Sequence, residues 1–251
     1  MKKLLLIGIG TGNPEHVTLQ AVRALNAADV VFLIDKGDAK AELVRVRRDI
    51  CERTITGAQP RFVEAVDPER DRMPADYGVA VDDWHAARAE LYEGLIAEHL
   101  GEDGCGAFLV WGDPSLYDST IRIIDRIRAR GRIAFDVEVI PGITSVQALA
   151  AGHRIALNGI GEPVTITTGR RLAEDLSGEG ATVVMLDGRV DFAGLDPDLI
   201  IHWGAYLGTA DELLVTGRLG DVAEVIRETR RAARLRHGWI MDIYRLSRPA
   251  T

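Results

Sequence analysis

The sequence predicts an α/β protein with two α/β domains, the first built on a parallel, doubly wound sheet and the second on a mixed sheet. In the first half, short apolar runs alternate with longer segments of helical periodicity, which is typical of α/β folds. In the second half, five short strand-like runs occur with only one strong helical segment. We place the boundary near Ser115, so that the domains span 1–115 and 116–251.

The first-half strands are predicted from short apolar runs, and the β-branched run at 30–34 suits a strand buried on both faces. They cover 4–7, 30–34, 61–66, 107–111 and 137–140. Asn13 followed by Pro14 predicts the start of a first helix that continues to about Ala27. Apolar residues at helical spacing predict further helices over 43–50, 81–100, 115–130 and 144–151.

The second half is predicted to be rich in strands. These cover 164–168, 182–186, 199–203, 213–216 and 239–244, with a helix near 222–231. Strands without a helix between each pair predict a mixed rather than a purely parallel sheet.

Composition excludes some classes of protein. The chain has 251 residues, 47% apolar and 27% charged, so it can bury a core and is not a disordered chain. With 38 acidic and 30 basic residues the net charge is −8, which disfavours a general nucleic-acid binder. A local arginine cluster could still bind a small anionic ligand.

Neither a metal site nor a membrane span is predicted. Cys51 and Cys105 are the only cysteines, and no two of the six histidines stand four residues apart. No apolar stretch approaches the roughly 20 residues that a membrane helix needs. We therefore expect a protein of the reducing cytoplasm that makes no membrane contact.

The first motif is Gly8-Ile9-Gly10-Thr11-Gly12, directly after the first strand. Glycines let the backbone approach a ligand closely, and a following helix would offer free N–H groups. The spacing differs from the G-x-G-x-x-G of dinucleotide folds, although Asp35 stands roughly where a ribose-binding acid would stand. A tight turn without a ligand is the alternative.

Two further motifs also follow predicted strands. Trp111-Gly112-Asp113-Pro114-Ser115-Leu116-Tyr117 places a carboxylate where open α/β sheets bind ligands, or Asp113 simply caps a helix that begins at Ser115. Pro141-Gly142-Ile143-Thr144-Ser145 offers hydroxyls and free N–H groups at a helix start, or an ordinary cap.

Taken together, the three motifs resemble those of the tetrapyrrole (precorrin) methyltransferase family in order and along nearly the whole chain. The resemblance implies two α/β domains, S-adenosylmethionine in the cleft between them, and a homodimer. Carried over by motif, the cofactor-binding residues would be Gly8, Gly10, Thr11, Trp111, Gly112, Asp113, Leu116, Thr144, Ser145, Met185 and Leu207.

The sequences of residues 111–119 and 32–37 most resemble those of one branch of the family. Its members methylate precorrin-5 at ring carbon C-1 and release acetate. Thr11 and Trp111 depart from the family's common Pro and Gly. Asp35 falls one place later than the acid of the uroporphyrinogen-methylating relatives, so its pairing with a lysine is not transferred. Release of acetate favours a general base, for which Asp35, Tyr117 and Asp118 are candidates.

The implied substrate is a polycarboxylate, which arginine binds well. Arg170 and Arg171 follow a predicted strand end and are our candidates for substrate binding. Arg45, Arg47 and Arg48 are predicted to form a solvated helix face, and 227–236 a surface helix.

Three alternatives stay open from the sequence. The chain could methylate another precorrin or RNA, although its negative charge disfavours RNA. A nicotinamide-dependent dehydrogenase would use Gly8–Gly12 and Asp35 but leave the other two motifs without a role. A non-catalytic ligand-binding module is the third.

Overall fold

The computed structural model describes residues 1–35, 41–69, 76–176 and 179–249. The chain forms two compact units, Met1–Thr144 and Ser145–Thr251. The boundary predicted near Ser115 is therefore 29 residues too early. The reason is that the strand after Ser115 pairs with the first strand of the chain, which keeps it in the first unit.

The first unit contains one five-stranded sheet with strand order β3-β2-β4-β1-β5, and all of its pairings are parallel. The strands are β1 (Lys2–Gly8), β2 (Val30–Asp35), β3 (Arg61–Val66), β4 (Cys105–Val110) and β5 (Phe135–Ile140). The helices are α1 (Leu19–Asn26), α2 (Ala41–Thr54), α3 (Tyr77–His99) and α4 (Thr120–Arg130).

Two apolar cores cover the two faces of this sheet. Alternation along β1 sends Leu5 and Ile7 into one core and Leu4 and Leu6 into the other, and all four side chains are buried. A strand buried on both faces reads as a continuous apolar run, which is why β1 was predictable from the sequence.

The second unit contains a five-stranded sheet with strand order β6-β7-β10-β8-β9, in which only β6 and β7 pair in parallel. This confirms the predicted mixed sheet. The strands are β6 (Val164–Thr168), β7 (Ala181–Met185), β8 (Ile200–Ala205), β9 (Leu213–Arg218) and β10 (Asp242–Ser247). The helices are α5 (Ser145–His153), α6 (Leu172–Asp175) and α7 (Leu219–His237).

The first predicted helix is in fact two elements. The Asn13 side chain accepts a hydrogen bond from the Glu15 N–H and caps only a 3-10 turn, Pro14–His16. Val17 and Thr18 are extended, and the Thr18 hydroxyl accepts from the Ala21 N–H (3.1 Å) to start α1. A second capping residue within the predicted helix therefore divides it.

Candidate functional site

The three predicted motifs all lie at the carboxyl edge of the first sheet, on three neighbouring strands. Since β1 is hydrogen-bonded to both β4 and β5, the loops that follow these strands are brought side by side. The Gly112 N–H donates to the Gly10 carbonyl at 2.8 Å, and the Gly10 N–H donates to the Gly112 carbonyl at 3.3 Å. The first two motifs are thus joined by backbone hydrogen bonds.

The second and third motifs are packed backbone to backbone. A Cβ atom added to Gly142 would lie 2.1 Å from the Gly112 carbonyl oxygen and 2.8 Å from Gly8 Cα. One added to Gly8 would lie 2.6 Å from the Gly142 nitrogen. Only glycine permits such an approach. Glycines from all three loops therefore form one closely packed cluster, which we call the glycine junction (Gly8, Gly112 and Gly142).

The Asp113 carboxylate ties the second motif to the third. Its Oδ1 accepts from the Ser115 N–H (2.8 Å) and hydroxyl, and its Oδ2 accepts from the Gly142 N–H (2.8 Å). Burial raises the pKa of Asp113, but the hydrogen bonds from Ser115 and Gly142 outweigh it and hold the pKa below its usual 3.8. Both oxygens are used within the protein, and α4 begins at Thr120. Asp113 thus does not cap a helix beginning at Ser115.

The first glycine motif does not open directly into a helix. Gly10 and Gly12 have φ angles of +77° and +121°, which favour glycine, but α1 begins only at Leu19. In dinucleotide folds the glycine turn and the helix N-terminus are continuous. The expectation that a helix N-terminus directly follows this turn is therefore wrong, which weighs against the dehydrogenase alternative.

The other first-unit candidates lie within the same loops. Thr11 is buried, and its hydroxyl is 3.3 Å from His16 Nδ1. Trp111 packs against one apolar core, and Leu116 is half-buried. The Thr144 Cα would be 3.8 Å from a Cβ on Gly112, so it lies beside the glycine junction. The structure thus brings together the first-unit residues predicted from the motifs.

The second-unit candidates are distributed over three elements. Ser145 begins α5, and Met185 ends β7, where it is half-buried. Leu207 is buried inside its own unit, and a Cβ on Gly204 would lie 2.7 Å from its Cδ2. Leu207 therefore has a packing role of its own, and cofactor contact by these three residues stays a prediction.

Left-handed backbone occurs beside several predicted cofactor residues. Tyr117, Leu186 and Tyr206 have φ angles between +51° and +54°, and each adjoins Leu116, Met185 or Leu207. Non-glycine residues rarely adopt this conformation, and such strain concentrates at functional sites. Leu186 is also 66% exposed, which is unusual for leucine. The left-handed conformation of Leu186 could not be predicted from the sequence, because no motif signals a left-handed leucine.

The candidates for the general base are placed differently. The side chain of Asp35 lies outside the described residues. Tyr117 is 44% exposed, and Asp118 Oδ1 accepts from the Thr120 N–H at 2.7 Å at the start of α4. Asp118 therefore has a structural role just before α4 whether or not it takes part in chemistry.

The two candidate substrate arginines also differ. Arg171 donates from Nε and a terminal nitrogen to the two oxygens of Asp175, both at 3.0 Å. Hydrogen bonds from Arg171 and from the Thr167 hydroxyl lower the pKa of Asp175 to about 2. Arg171, which directly precedes the short helix α6, thus has an ion-pair partner within that helix, and both arginines are exposed. Contact of either arginine with the substrate stays a prediction.

The prediction that the arginines of 45–48 and of 227–236 face solvent is only partly correct. Arg45 is exposed, but the Arg47 Nε donates to the Leu109 carbonyl of β4 (3.4 Å), so Arg47 points into the protein. On α7, Arg230 is also turned inward and donates to Asp242 at 2.8 Å. Tertiary contacts with a neighbouring strand decide both orientations, and helical periodicity does not reveal them.

Over the described part of the chain, no three His, Cys, Asp or Glu side chains are grouped so that they could hold a metal ion. Within the same ranges, no helix has the length and hydrophobicity needed to cross a membrane.

Comparison with known proteins gives a consistent result. Residues 3–223 match the family model of the Tetrapyrrole (Corrin/Porphyrin) Methylases. The chain is 57% identical to a precorrin-6A synthase [deacetylating] from Sinorhizobium sp over 252 aligned positions, which cover 100% of this chain and 97% of the relative. It is 32% identical to a precorrin-2 C(20)-methyltransferase from Sinorhizobium sp, over 74% of each chain.

Solved structures show the same fold. A cobalamin synthesis related protein from Corynebacterium diphtheriae superposes with a TM-score of 0.83 at 39% identity, over 98% of both chains. A uroporphyrin-III C-methyl transferase from Thermus thermophilus, solved in complex with S-adenosyl homocysteine, superposes with a TM-score of 0.60 at 21% identity, over 98% of this chain and 97% of that one.

Proposed function

Because this chain belongs to the tetrapyrrole (corrin/porphyrin) methylases, we propose that it transfers a methyl group from S-adenosylmethionine to ring carbon C-1 of precorrin-5, with release of acetate, in cobalamin biosynthesis. The observation that carries the proposal is the 57% identity to a precorrin-6A synthase [deacetylating] over the whole chain. Methyltransferases for other precorrins are more distant, at 32% identity or less among the relatives compared.

The residues at the glycine junction fit an S-adenosyl ligand. Positive φ angles at Gly10 and Gly112 turn the chain at the ends of β1 and β4, beside Thr11 and Thr144, which add hydroxyl groups to the backbone N–H and C=O groups of these loops. Such a neutral, polar set of donors and acceptors suits a nucleoside and an amino-acid group. When bound, the ligand supplies an activated methyl group on a sulfonium.

The protein's contribution to methyl transfer is mainly positioning. Holding two reactants in attack geometry can supply about 7–11 kcal/mol of the barrier. The glycine junction and the Asp113 hydrogen bonds make the three loops one rigid platform for this purpose. Acetate release differs, because water must add to a carbonyl, which requires a base and a donor for the oxyanion.

The reaction is tested directly by incubating the protein with precorrin-5 and S-adenosylmethionine. Mass spectrometry should show one methyl gained and the acetyl group lost, and acetate should appear in equal amount. In parallel, calorimetric titration should show binding of S-adenosylmethionine and none of NAD. Tight NAD binding without a response to S-adenosylmethionine would contradict the proposal.

The base is sought with three variants, Asp35→Asn, Tyr117→Phe and Asp118→Asn. Methyl transfer should persist in all of them, while one should stall acetate release. Normal acetate release by all three variants would remove these residues from consideration as the base.

Charge reversal at Arg170 is expected to weaken acceptor binding, with an increase of at least tenfold in KM, while the Kd for S-adenosylmethionine is unchanged. Arg170 is exposed beside the end of β6, where a guanidinium can bind a carboxylate bidentately. The matched control is Arg231→Glu, which reverses the charge of an exposed arginine on α7 that no motif places in the site. An equal loss of affinity for both ligands in Arg170→Glu would argue for general damage.

Assembly as a homodimer follows from the family resemblance alone and stays a prediction, as does a cytoplasmic location.

A further inference from the structure

A small cavity of about 60 Å³ lies in the first unit where β2 and β4 separate. The two strands pair only as far as Phe32 and Phe108, although β2 continues to Asp35 and β4 to Val110. The volume is several times the roughly 10–15 Å³ that one water molecule requires. Its polar lining comes mainly from Arg47, Arg88, Tyr92, Trp111 and Asp118.

Arg88 lines one side of this cavity, and its side chain is held in place. Its Nε lies 2.8 Å from Asp67 Oδ1, and both side chains are buried. Its terminal nitrogens donate to the Ser119 hydroxyl (2.9 Å) and to the Tyr92 hydroxyl (2.5 Å). Asp67 therefore balances the charge of Arg88. Contacts with Asp67, Ser119 and Tyr92 hold the guanidinium in place.

Arg47 is the second guanidinium on the cavity. It reaches from α2 to the Leu109 carbonyl, at 3.4 Å, which is a long hydrogen bond for an N–H donor. Burial lowers the pKa of Arg47, and Tyr92 and Asp118 act against this shift. Arg47 is half-buried, so its guanidinium lies on the cavity lining at the edge of the first unit.

The cavity is next to the glycine junction. Trp111, which lines it, directly precedes Gly112, and both belong to the loop after β4. A group bound in the cavity would therefore lie at the same sheet edge as the loops proposed to hold the methyl donor. The other charged group on the lining, Asp118, has one oxygen engaged by the Thr120 N–H.

We propose that this cavity binds one carboxylate side chain of the tetrapyrrole acceptor and that Arg47 is the side chain that donates to it. The inference rests on the proposed function and adds a specificity-determining residue to it. A guanidinium suits this task because it presents two parallel N–H groups to a carboxylate. The aromatic rings of Tyr92 and Trp111 would exclude water and strengthen the contact.

The test compares Arg47→Gln, Arg47→Lys and the control Arg45→Gln, an exposed arginine two residues earlier on α2. For Arg47→Gln we expect at least a tenfold weaker Kd for precorrin-5, measured without the methyl donor, and a matching rise in KM. The Kd for S-adenosylmethionine should not change. Arg47→Lys should recover part of the loss, and Arg45→Gln should behave as the unchanged protein.

Folding is monitored by urea denaturation. Arg47→Gln removes contacts inside the first unit and is expected to lower the free energy of unfolding, so binding is compared under conditions in which the denaturation curve shows both proteins to be fully folded. If the unchanged protein converts precorrin-5 but Arg47→Gln binds it equally well, this inference fails while the proposed function stands. Free acetate is the other carboxylate that could occupy the cavity. If Arg47→Gln abolishes inhibition of the reaction by acetate but binds precorrin-5 normally, the assignment of the cavity to the substrate is overturned.

Discussion

Replacing Gly142 by alanine is expected to lower the free energy of unfolding of the first unit by about 3 kcal/mol, the upper end of the usual cost of overpacking. The added methyl group would lie 2.1 Å from the Gly112 carbonyl oxygen and 2.7 Å from the Gly8 carbonyl carbon. These neighbours are backbone atoms, which cannot rotate away as a side chain can. The loops after β1, β4 and β5 must therefore move apart.

Separation of these loops should also weaken binding of S-adenosylmethionine at least tenfold in Gly142→Ala. The control is Gly94→Ala on α3, where an added Cβ meets nothing within 4 Å. Because glycine is unfavourable inside a helix, that variant should be more stable by about 0.5–1 kcal/mol. Urea denaturation and calorimetric titration measure both effects. Equal stability of the two variants would show that the glycine junction is not constrained as described.

The elements that the sequence predicts well are those whose signal is local. The strands β1, β2 and β4 contain apolar or β-branched runs, and a short window is enough to identify them. The strand predicted at 239–244 is displaced from β10, Asp242–Ser247. Trp239 and Ile240 are apolar because they pack against the second-unit core and not because they belong to a strand; the Trp239 carbonyl accepts from the Tyr206 hydroxyl at 2.6 Å.

In the candidate site, too, local features were predictable from the sequence and long-range contacts were not. The three motifs and their location at strand ends were predictable, because each consists of neighbouring residues. The hydrogen bond from Gly142 to Asp113 joins residues 29 positions apart, and no local pattern encodes it. The inward turn of Arg47 depends likewise on the Leu109 carbonyl, 62 positions away. Contacts of this kind determine what a motif residue does, so the sequence could name Asp113 but left its role open.

Replacing Asp113 by asparagine is expected to cost about 1 kcal/mol of stability, the lower end of the usual penalty for a donor left without an acceptor, because the Ser115 contact is exposed and the Gly142 contact is only partly buried. The carboxylate now accepts from the N–H groups of Ser115 and Gly142, one at each oxygen. Asparagine offers a single oxygen, so its amide group would face one of these donors. The β5 loop would then be released from the β4 loop, and binding of S-adenosylmethionine should weaken about tenfold.

The pH dependence of the unfolding free energy distinguishes the hydrogen-bonding role of Asp113 from an effect of the protein's net charge. The folded pKa of Asp113 lies below 3.8, so its contribution is fully present above that pH and is lost as the pH falls through the folded value. The difference in unfolding free energy between the unchanged protein and Asp113→Asn should therefore be constant from pH 7 to pH 5 and shrink below about 3.8. Asp136→Asn, on the exposed side of β5, changes the charge equally and should show neither effect. If the two variants lose stability alike, the carboxylate acts through the net charge of the protein; if only Asp113→Asn does, its two hydrogen bonds hold the β4 and β5 loops together.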